Sequence, residues 1–574
     1  MCITWKRREG YTSFEEKMKA IFKDFKDGRE VSENYTIRSF CAASDLLFGC
    51  KDAPVRIIGD YDTDGISSVI ILRILFKELK FKDVEHFIPD RQLDGYGASP
   101  AIVDCLCNGK ELNGKKFTKP EKQGLLITVD NGIAAVEAVK RAKNLGWKVL
   151  ILDHHLPPVN NEGKIIYPDA DVIIDPHAVD CGADFIDYCG AGLSYKFACY
   201  INNNVEKISD NAIAKMCGMA AIATIGDNVK LVEEYKSVYG YDNYLIVKRG
   251  LFELTQNSGR TTGMYCLFAG INQAFETVIT PDDVGYLISP VMNAVSRLVT
   301  YGSDKVVDLF LQDDNDFVTA ATKAKELVDI NTFRKEYTDK LIPELILRIQ
   351  SEHLEDNYPL VICGKPGEIH PGVLGLVAGR LAEEYHTAVI VFTPVDNGVL
   401  KGSARAQEGT NIKELLDVNK ELILGYGGHA LAAGLSVKQE KFESFIKAIQ
   451  KSAGEKPKEL FYKYYDYEIT PEQAKYELEK IEKYFPLGCG IEEPVYKVNF
   501  TADLKKGCYY QILGSEKNVL KLLNNHANAI SFRGMIDKYV AMGEPAILTL
   551  YGKLGTNIWN GVSYPQILIE DMEY

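Results

Sequence analysis

Short apolar runs alternate with segments of helical spacing over the first half of the chain. The runs lie at 55–58, 84–88, 125–129, 148–152 and 172–174. Strands that alternate with helices favour a parallel sheet covered by helices on both faces. The pattern therefore predicts an α/β domain at 51–304, preceded by a polar, helical extension at 1–50.

The pattern changes after residue 304. Residues 305–357 show long helical periodicity with few breakers, which predicts a connecting helix. A second, smaller α/β pattern occupies 358–452, with strands expected at 360–363, 388–392, 399–404 and 431–437. Beyond a polar linker, short strands separated by turns predict a small β-barrel or sandwich within 453–574.

Composition is that of an ordinary soluble protein, with 46% hydrophobic and 25% charged residues among 574. No apolar run approaches the ~18 residues that a membrane span needs. The positively charged N-terminus is not followed by an apolar segment, so we expect no signal peptide. Thirteen scattered cysteines without a zinc-type spacing indicate reduced thiols in a cytoplasm.

The formal net charge of −14 bears on possible partners. Proteins bind nucleic acid through basic surface. The negative net charge of the whole molecule therefore argues against nucleic-acid binding. A local basic groove or a bound metal ion can reverse the field where it matters. The net charge therefore disfavours a nucleic-acid substrate but does not exclude one.

Candidate metal ligands follow the ends of the predicted strands. The first strand leads into Gly59-Asp60-Tyr61-Asp62-Thr63-Asp64-Gly65, later ones into Asp130-Asn131-Gly132 and Asp153-His154-His155, and a helical segment ends in Gly226-Asp227. Because the carboxyl ends of parallel strands share one edge of a sheet, we expect these side chains to converge. Crowded carboxylates repel one another, which indicates that a cation offsets their charge.

The residue types favour particular ions. Carboxylates with a few imidazoles suit Mn²⁺ or Mg²⁺ better than a structural zinc, which prefers thiolates or a closed tetrahedron. So many acids at one place indicate two ions, an arrangement that serves phosphoester hydrolysis. Each motif alone has a simpler explanation, such as a helix cap, an Asx turn or a buried histidine pair. Four of them at strand or helix ends make that explanation improbable.

These motifs, in this order, resemble the DHH phosphoesterase superfamily. Further segments resemble its RecJ single-strand exonuclease branch: Ile88-Pro89-Asp90-Arg91, Asp94-Gly95-Tyr96-Gly97, Cys189-Gly190-Ala191-Gly192 and Pro290-Val291-Met292-Asn293-Ala294 with Arg297. Other segments are similar to the DHHA1 domain: His370-Pro371-Gly372-Val373-Leu374-Gly375, Gly402-Ser403-Ala404-Arg405 and Gly427-Gly428-His429. The tail around Gly552-Lys553-Leu554 and Gln566-Ile567-Leu568-Ile569 resembles the RecJ OB-fold. The likeness covers roughly residues 50 to 574 and implies a DHH domain, a long helix, a DHHA1 domain and an OB-like domain.

The resemblance implies roles for the matching residues. The implied metal ligands are Asp62, Asp64, Asp130, His154 and Asp227, with Asp130 bridging two Mn²⁺ or Mg²⁺ ions. The implied catalytic or supporting residues are His155, Asp60, Asp153 and Asp130. The implied substrate-binding residues are Arg91, Asn293, Arg297, Ser403, Arg405, Gly427, Gly428 and His429.

The family also implies an activity. It is hydrolysis of single-stranded DNA in the 5′→3′ direction, releasing mononucleotides in DNA repair and recombination. The DHHA1 domain would hold the 5′ end, and the OB-like domain would grip the following strand by stacking and basic charge. Candidate stacking residues are Tyr509, Tyr510, Phe532 and Trp559, although a small barrel also needs aromatic residues in its core.

Three positions depart from the family pattern. Val291 replaces an arginine, Ser296 replaces a glycine, and Asn518 stands where a histidine is expected. These departures put substrate affinity and length preference in question more than the chemistry.

Two alternatives remain at this point. One is a DHH phosphodiesterase that acts on short oligonucleotides or cyclic dinucleotides, against which the extra C-terminal β domain argues. The other is a non-catalytic replication scaffold, which we would expect to have lost ligands. The family implies a monomer in a bacterial cytoplasm, or a phage protein acting there, with a single-strand-binding protein and a RecQ-type helicase as partners and no membrane contact.

Overall fold

The computed structural model describes most of the chain. The described residues are 4–23, 25, 37–160, 162–179, 181–183, 185–235, 238–256, 258–271, 278–313, 315–407, 409–454, 462–503, 509–514, 517–532, 535–559 and 562–574. No helix in these ranges is long and apolar enough to cross a membrane.

Strands and helices are interspersed along the first 356 residues. Up to residue 227 they are β1 (Thr4–Arg7), α1 (Phe14–Ile21), α2 (Ser39–Gly49), β2 (Val55–Ile58), α3 (Thr63–Glu78), β3 (Val84–Phe87), α4 (Pro100–Asn108), β4 (Leu125–Val129), α5 (Val136–Asn144), β5 (Lys148–Leu152), β6 (Val172–Ile174), α6 (Gly190–Asn204) and α7 (Asp210–Gly226). Up to residue 356 they are β7 (Glu233–Tyr235), β8 (Val238–Gly240), α8 (Asp242–Thr255), α9 (Thr262–Ile271), α10 (Pro281–Asp283), a π-helix (Val284–Ile288), α11 (Ser289–Leu298), α12 (Gly302–Phe310) and α13 (Phe317–Ser351).

The remaining elements belong to two further regions. Up to residue 453 they are β9 (Leu360–Cys363), α14 (Leu374–Tyr385), β10 (Val389–Val395), β11 (Val399–Arg405), α15 (Ile412–Val418), β12 (Gly425–Gly428), β13 (Ala432–Lys438) and α16 (Phe442–Ala453). The last are β14 (Tyr462–Tyr465), β15 (Tyr467–Ile469), α17 (Ala474–Lys483), β16 (Tyr496–Thr501), β17 (Tyr510–Leu513), β18 (Val519–Leu522), β19 (Asn528–Ser531), α18 (Met535–Ala541), β20 (Ile547–Trp559) and β21 (Val562–Glu573).

Contacts divide the chain into two units. The larger unit comprises Asn34–Asp227 and Arg249–Lys458, and the smaller unit comprises Met1–Glu33, Asn228–Lys248 and Glu459–Tyr574. The larger unit contains both regions of α/β pattern and the connecting helix, and the smaller unit contains the C-terminal β region.

The first sheet of the larger unit has the predicted architecture. Its strand order is β3-β2-β4-β5-β6, and every pair is parallel. Strands β2 and β4 are buried along their whole length, as expected for strands covered on both faces. Helix α3, which follows β2, is buried on nearly every side. The α/β prediction is therefore confirmed.

The connecting helix and the second sheet complete the larger unit. The helical region begins with the short α12, and α13 then runs for 35 residues to the second sheet. That sheet has the order β12-β13-β11-β10-β9, in which only β9 and β10 are parallel. Its core packs α14 against one face and α15 and α16 against the other.

The smaller unit contains a seven-stranded mixed sheet, with the order β15-β16-β20-β21-β19-β18-β17. The helices α1 and α2 agree with the helical extension that the sequence predicted at 1–50, but its first described residues differ from it. Residues 4–7 form strand β1, which pairs in parallel with β14. Trp5 of this strand stacks on Tyr551 with 4.3 Å between ring centroids and donates a hydrogen bond to Asp571. A four-residue strand that pairs with a distant partner leaves no local periodic signal in the sequence.

Candidate metal centre and phosphate-binding residues

The strand ends bring the predicted acids together. Possible ligand atoms within 4.8 Å of one another form three overlapping groups. The groups are Asp60 with Asp62 and Asp130, Asp64 with His154 and Asp227, and Asp130 with His154 and His155. We call Asp60, Asp62, Asp64, Asp130 and Asp227 the acid cluster.

His154 lies between the members of this cluster. Its Nε2 atom is 3.1 Å from Asp130 Oδ1, 3.7 Å from Asp64 Oδ2 and 3.9 Å from Asp227 Oδ2. One imidazole nitrogen among several carboxylate oxygens is a donor set that suits Mn²⁺ or Mg²⁺. The residues present therefore fit the divalent ions that the sequence predicted.

Backbone amides fix two of the acids. The carboxylate of Asp64 accepts hydrogen bonds from the N–H groups of Gly190 at 2.6 Å and Ala191 at 2.8 Å, at the first turn of α6. Asp62 caps α3, because its Oδ1 accepts the N–H groups of Asp64 and Gly65, each at 3.0 Å. Both carboxylates thus sit at helix N-termini, where the helix dipole favours negative charge.

Asp130 has an unusual backbone. Its φ is 59°, in the left-handed region that asparagine and aspartate tolerate better than most residues. Gly190 lies directly against it, and a Cβ atom on Gly190 would come within 2.8 Å of Asp130 Cβ. The close approach of strand end and helix start therefore requires glycine at 190.

Crowding and burial raise the pKa values of several acids in the cluster. Burial, then the charges of Asp64 and Asp62, raises the pKa of Asp130 well above its usual range. Burial and then Asp62 do the same for the pKa of Asp60. The pKa of Asp227 is raised to about 8, by burial first and then by Asp64. A bound cation would reverse this repulsion.

One carboxylate oxygen of Asp60 is unpartnered among the described residues. The residue is buried, and the unpartnered oxygen is Oδ1. A buried carboxylate oxygen without a partner is costly unless an ion or water meets it. The helix-cap explanation for Asp60 is therefore not supported, since Asp62 makes the cap.

Asp153 positions His155. Its Oδ1 accepts His155 Nδ1 at 2.7 Å and the N–H of His154 at 2.8 Å, while its Oδ2 accepts the N–H of Ile133 at 2.8 Å. Burial is the largest single influence and would raise the pKa of Asp153, but the hydrogen bond and charge of His155, the N–H of Ile133 and the charge of His154 together lower it. Burial would lower the pKa of His155, yet its contact with Asp153 raises that pKa to about 9.

Tyr96 is a site residue to which sequence reasoning gave no role. Its hydroxyl lies 3.2 Å from His155 Nε2 and 3.3 Å from the carbonyl oxygen of Asp130, although 55% of the residue is exposed. Tyr96 belongs to the motif at 94–97 that carried the resemblance, so the signal was present. Its partner is 59 residues away, and spacing alone does not reveal such a contact.

Two predicted phosphate-binding arginines, Arg91 and Arg297, lie near the acid cluster, and a third, Arg405, lies near these two. The guanidinium of Arg91 stacks on Tyr61, 3.9 Å from the ring centroid. Burial, then Arg91 and Arg405, lowers the pKa of Arg297 to about 10. Burial and then Arg91 lower the pKa of Arg405. None of the three is within ion-pair distance of a carboxylate in the described part of the chain.

Other predicted substrate residues have structural partners. Ser403 Oγ accepts Arg405 Nη1 at 3.1 Å. Asn293 Oδ1 accepts the N–H of Thr63 at 3.2 Å, so Asn293 holds the first turn of α3. The departure at Ser296 is accommodated, since its hydroxyl donates to the Asn293 carbonyl at 3.1 Å, and Val291 is buried in the core.

The glycine-rich hairpin of the second sheet lies at its exposed edge. Gly427 and Ser403 are both paired with Gly434, on either side of it, so they occupy one row two strands apart, about 10 Å. His429 is exposed, and its N–H donates to the Ala432 carbonyl at 2.8 Å. Gly428 has a φ of 141°, which permits the turn. In the part of the chain that the structure describes, Gly427, Gly428 and His429 form no hydrogen bond with Ser403 or Arg405.

The predicted stacking residues of the smaller unit differ in their surroundings. Tyr509 and Tyr510 donate to Glu544 at 2.7 and 3.0 Å, and Tyr510 also packs on Tyr539. Phe532 is 58% exposed and is available for stacking. The side chain of Trp559 lies outside the described residues. Asn518 lies close to Gly514: a Cβ atom on Gly514 would be 2.9 Å from Asn518 Oδ1.

Three family models match the chain. The DHH family, N-terminal domain matches residues 54–224, the DHHA1 domain matches 357–455, and the RecJ OB domain matches 465–571.

Known proteins are similar over much of the chain. Single-stranded-DNA-specific exonuclease RecJ of Salmonella typhimurium is 30% identical over 418 residues, which cover 70% of this chain and 67% of that protein. RecJ of Dickeya dadantii is 29% identical over 415 residues, covering 70% of this chain and 66% of that protein. The chain thus spans about two thirds of the length of these relatives. The crystal structure of RecJ from Thermus thermophilus in complex with Mn²⁺ matches with a TM-score of 0.76 and 20% identity, covering 100% of this chain and 80% of that one.

Proposed function

Because the chain belongs to the RecJ family of single-stranded-DNA-specific exonucleases, we propose that it degrades single-stranded DNA from the 5′ end and releases mononucleotides. The observation that carries this proposal is the acid cluster with His154, together with three arginines that lack carboxylate partners among the described residues. Cation-binding and phosphate-binding groups at one place suit a metal-dependent phosphodiesterase.

We assign two Mn²⁺ or Mg²⁺ ions to the cluster, since RecJ of Thermus thermophilus has been crystallised in complex with each of these ions. Asp64, His154 and Asp227 would hold one ion. Asp62 and Asp130 would hold the other, and Asp130 would bridge to the first. Asp60 joins the second group because its Oδ1, unpartnered within the described ranges, lies beside Asp62 and Asp130.

When bound, the ions would activate a water molecule and neutralise charge that develops on the phosphate oxygens. Asp153 holds His155 by its Nδ1, which leaves Nε2 facing the Tyr96 hydroxyl at 3.2 Å. A protonated His155, supported by Asp153, can donate a hydrogen bond to a phosphate oxygen or a proton to the leaving oxygen.

The arginines orient the strand. Arg91, held flat on Tyr61, and Arg297, which donates to the Gly372 carbonyl at 3.4 Å, present guanidinium groups to phosphate. Ser403 and Arg405 extend this surface onto the second sheet. A strand held by its terminal nucleotide next to the metal centre would be cleaved one nucleotide at a time, which supports exonuclease action.

The domain roles follow from this assignment. We propose 51–304 as the catalytic domain, 305–357 as the connecting helix, 358–452 as the holder of the 5′ end and 453–574 as the strand grip. Gly427, Gly428 and His429 would hold the phosphate of the terminal nucleotide. A monomer acting in a bacterial cytoplasm, with a single-strand-binding protein and a helicase, is the setting we expect from the relatives.

A time course on one oligonucleotide labelled at either end tests the polarity. With Mn²⁺, the 5′ label should appear first as a mononucleotide, while the 3′ label remains in a shortening ladder. Early release of the 3′ label as a mononucleotide would contradict the proposal. A dinucleotide and a double-stranded DNA serve as comparison substrates, and faster hydrolysis of the dinucleotide than of the long strand would favour the oligonucleotide phosphodiesterase alternative.

A further inference from the structure

A cavity of about 460 Å³ lies in the larger unit, at the opposite end of helix α3 from the acid cluster. Helix α3 begins at Thr63, beside the acid cluster, and ends at Glu78, and its last two turns line the cavity. At 1.5 Å per residue, Lys77 is about 20 Å along the helix from Asp64. The cavity is therefore separate from the metal centre, and the proposed reaction does not use it.

Helix α7 packs against α3 and runs the other way. It begins at the cavity, where Asn211 and Ala212 belong to the lining, and it ends next to Asp227 of the acid cluster. The rest of the lining comes from residues that follow α3 and α12 and from Thr261. Sites for small molecules have volumes of about 300–1,000 Å³, so the cavity suits one small ligand.

The cavity is basic although the whole chain is acidic. Its charged lining consists of four cations and two carboxylates: Arg73, Lys77, Lys82 and Lys215 with Glu78 and Asp313. Asp313 forms an ion pair with Lys215, and Glu78 accepts the N–H of Ser209 at 3.3 Å. The lining thus has a net charge of +2, in a chain whose formal net charge is −14.

Three of these cations, Arg73, Lys77 and Lys82, have no carboxylate within ion-pair distance among the described residues. Arg73 Nη1 lies 2.9 Å from His86 Nδ1. Burial, followed by the charges of Arg73 and Lys115, lowers the pKa of His86 to about 3, so the neutral imidazole accepts this hydrogen bond. The guanidinium of Arg73 is therefore held by a neutral partner, and its charge is available to a ligand.

Two helix ends meet at the cavity, and their dipoles act in opposite directions. The start of the 17-residue helix α7 favours an anion, whereas the end of α3 disfavours one. Each end is equivalent to about half an elementary charge, so the two effects largely cancel. The full charges of Arg73, Lys77 and Lys82 therefore decide the sign of the field, and they favour an anion.

The uncharged lining indicates what else the ligand carries. Its apolar members are Ile74, Phe76, Phe81, Val84, Ala212 and Leu311. Its neutral polar members are Asn211 and Thr261, and the Thr261 hydroxyl already donates to the Phe310 carbonyl at 2.7 Å and accepts the N–H of Met264 at 3.2 Å. A polyhydroxylated ligand would find few partners here, whereas a nucleobase packs well on apolar and aromatic side chains.

The charge of the lining matches a phosphate group. A phosphomonoester carries about two negative charges at neutral pH, which balances the net +2 of the cavity. We propose that this cavity is a binding site for a nucleoside monophosphate, whose phosphate contacts Arg73, Lys77 and Lys82 and whose base packs on the apolar wall. Deoxyribonucleotides released from DNA and free ribonucleotides share this chemistry. The proposal does not depend on the proposed function, since neither metal ions nor a DNA strand takes part.

Isothermal titration calorimetry in the presence of a chelator tests the site. Deoxyadenosine and adenosine 5′-monophosphate serve as probes for the two sources, and the one that binds more tightly identifies the source. Adenosine alone and inorganic phosphate should bind more weakly, because each makes only part of the contacts. Lys82→Glu and Lys77→Glu should each weaken nucleotide binding by about tenfold or more, as expected for the loss of a charge-assisted contact.

Lys80→Glu is the matched control. It makes the same change of charge at an exposed lysine that does not line the cavity, and it should leave the Kd almost unchanged. Asp313→Asn should act in the opposite direction and tighten binding, because it removes the carboxylate that neutralises Lys215. Lys77 and Lys82 are exposed, so their variants should fold normally, which thermal melting checks.

Four results would overturn the proposal. They are no binding of either nucleotide, binding of inorganic phosphate as tight as that of the nucleotides, an equal loss in Lys80→Glu and Lys82→Glu, and weaker binding in Asp313→Asn. Asp130→Asn and Arg297→Gln distinguish the cavity from the site of the proposed reaction. Both should bind the nucleotides as the wild type does, whatever their nuclease activity. A Kd that changes in these two variants but not in Lys82→Glu would place the nucleotide at the metal centre and overturn the proposal.

Discussion

The acid cluster and the three arginines Arg91, Arg297 and Arg405, which we call the arginine cluster, are both gatherings of like charge, yet the protein holds them in different ways. Backbone N–H groups at the starts of two helices bind Asp62 and Asp64, and Asp130 follows a buried strand. The arginines reach their positions on long side chains. Their few contacts are with a ring, carbonyl oxygens and one hydroxyl.

The difference matches what each cluster must bind. Metal coordination tolerates shifts of only a few tenths of an ångström, so the ligands need a rigid frame. A strand that advances by one nucleotide after each cleavage needs contacts that can release and form again. Changes in the backbone frame of the acids should therefore have larger effects than comparable changes among the arginines.

Asp130→Asn should have the largest effect. Asparagine tolerates the φ of 59° at this position, so the change removes a ligand charge with little added backbone strain. We expect nuclease activity in Mn²⁺ to fall by about 10³-fold or more. Activity of the variant within a few-fold of the wild type would exclude the two-metal assignment. The expected fall in nuclease activity would argue against a non-catalytic scaffold.

Gly190→Ala should come next. The new Cβ would lie 2.8 Å from Asp130 Cβ and 3.0 Å from its Cα, atoms that cannot move without disturbing the metal centre. Overpacking of this kind costs about 1–3 kcal/mol. Chemical denaturation should show that loss of stability, and activity should fall by roughly 10–100-fold. Normal activity would mean that the frame around Asp130 is more adaptable than we infer.

Metal binding should stabilise the folded chain. The crowded carboxylates repel one another without ions, and ions that bind only the folded state add about 2.7 kcal/mol at 100 times their Kd. The melting temperature should therefore rise with Mn²⁺ concentration. Asp130→Asn should melt at a higher temperature than the wild type in chelator and gain less from Mn²⁺. A rise of equal size in both proteins would place the ions elsewhere.

Gly375→Ala should have the smallest effect. Its Cβ would approach the far end of Arg405, a flexible group that can shift aside. We expect stability to be unchanged within about 0.5 kcal/mol, and KM for single strands to rise by a small factor. Gly379→Ala on the same helix is the control, since no described atom lies within 4 Å of its Cβ position and alanine should stabilise the helix by about 0.5–1 kcal/mol. If Gly375→Ala lost as much stability and activity as Gly190→Ala, the inferred difference in rigidity between the acid cluster and the arginine cluster would be wrong.

The sequence predicted the convergence of the strand-end side chains, which the structure confirms, for a physical reason. The carboxyl ends of parallel strands meet at one edge of the sheet. The sequence alone therefore predicts that Asp130 and His154 lie near Asp64. Family models confirm the resemblance that these motifs indicated. The individual roles of the site residues stay predictions, as do the domain boundaries.

What the sequence did not reveal depends on distant pairing. The hydrogen bonds from Gly190 and Ala191 to Asp64 join positions about 126 residues apart. The same reason hides strand β1, which is too short to show a period and whose partner lies beyond almost the whole of the larger unit.

The pairing of β1 with β14 has a consequence for the order in which a ribosome would deliver the fold. Every member of the acid cluster has emerged by residue 227, and the larger unit is complete at Lys458. The first strand must wait 458 residues for its partner. At about 5–20 residues per second, that delay is roughly 20–90 s. The nascent chain can therefore have a finished first sheet, with the acid cluster in place, while β1 is still unpaired.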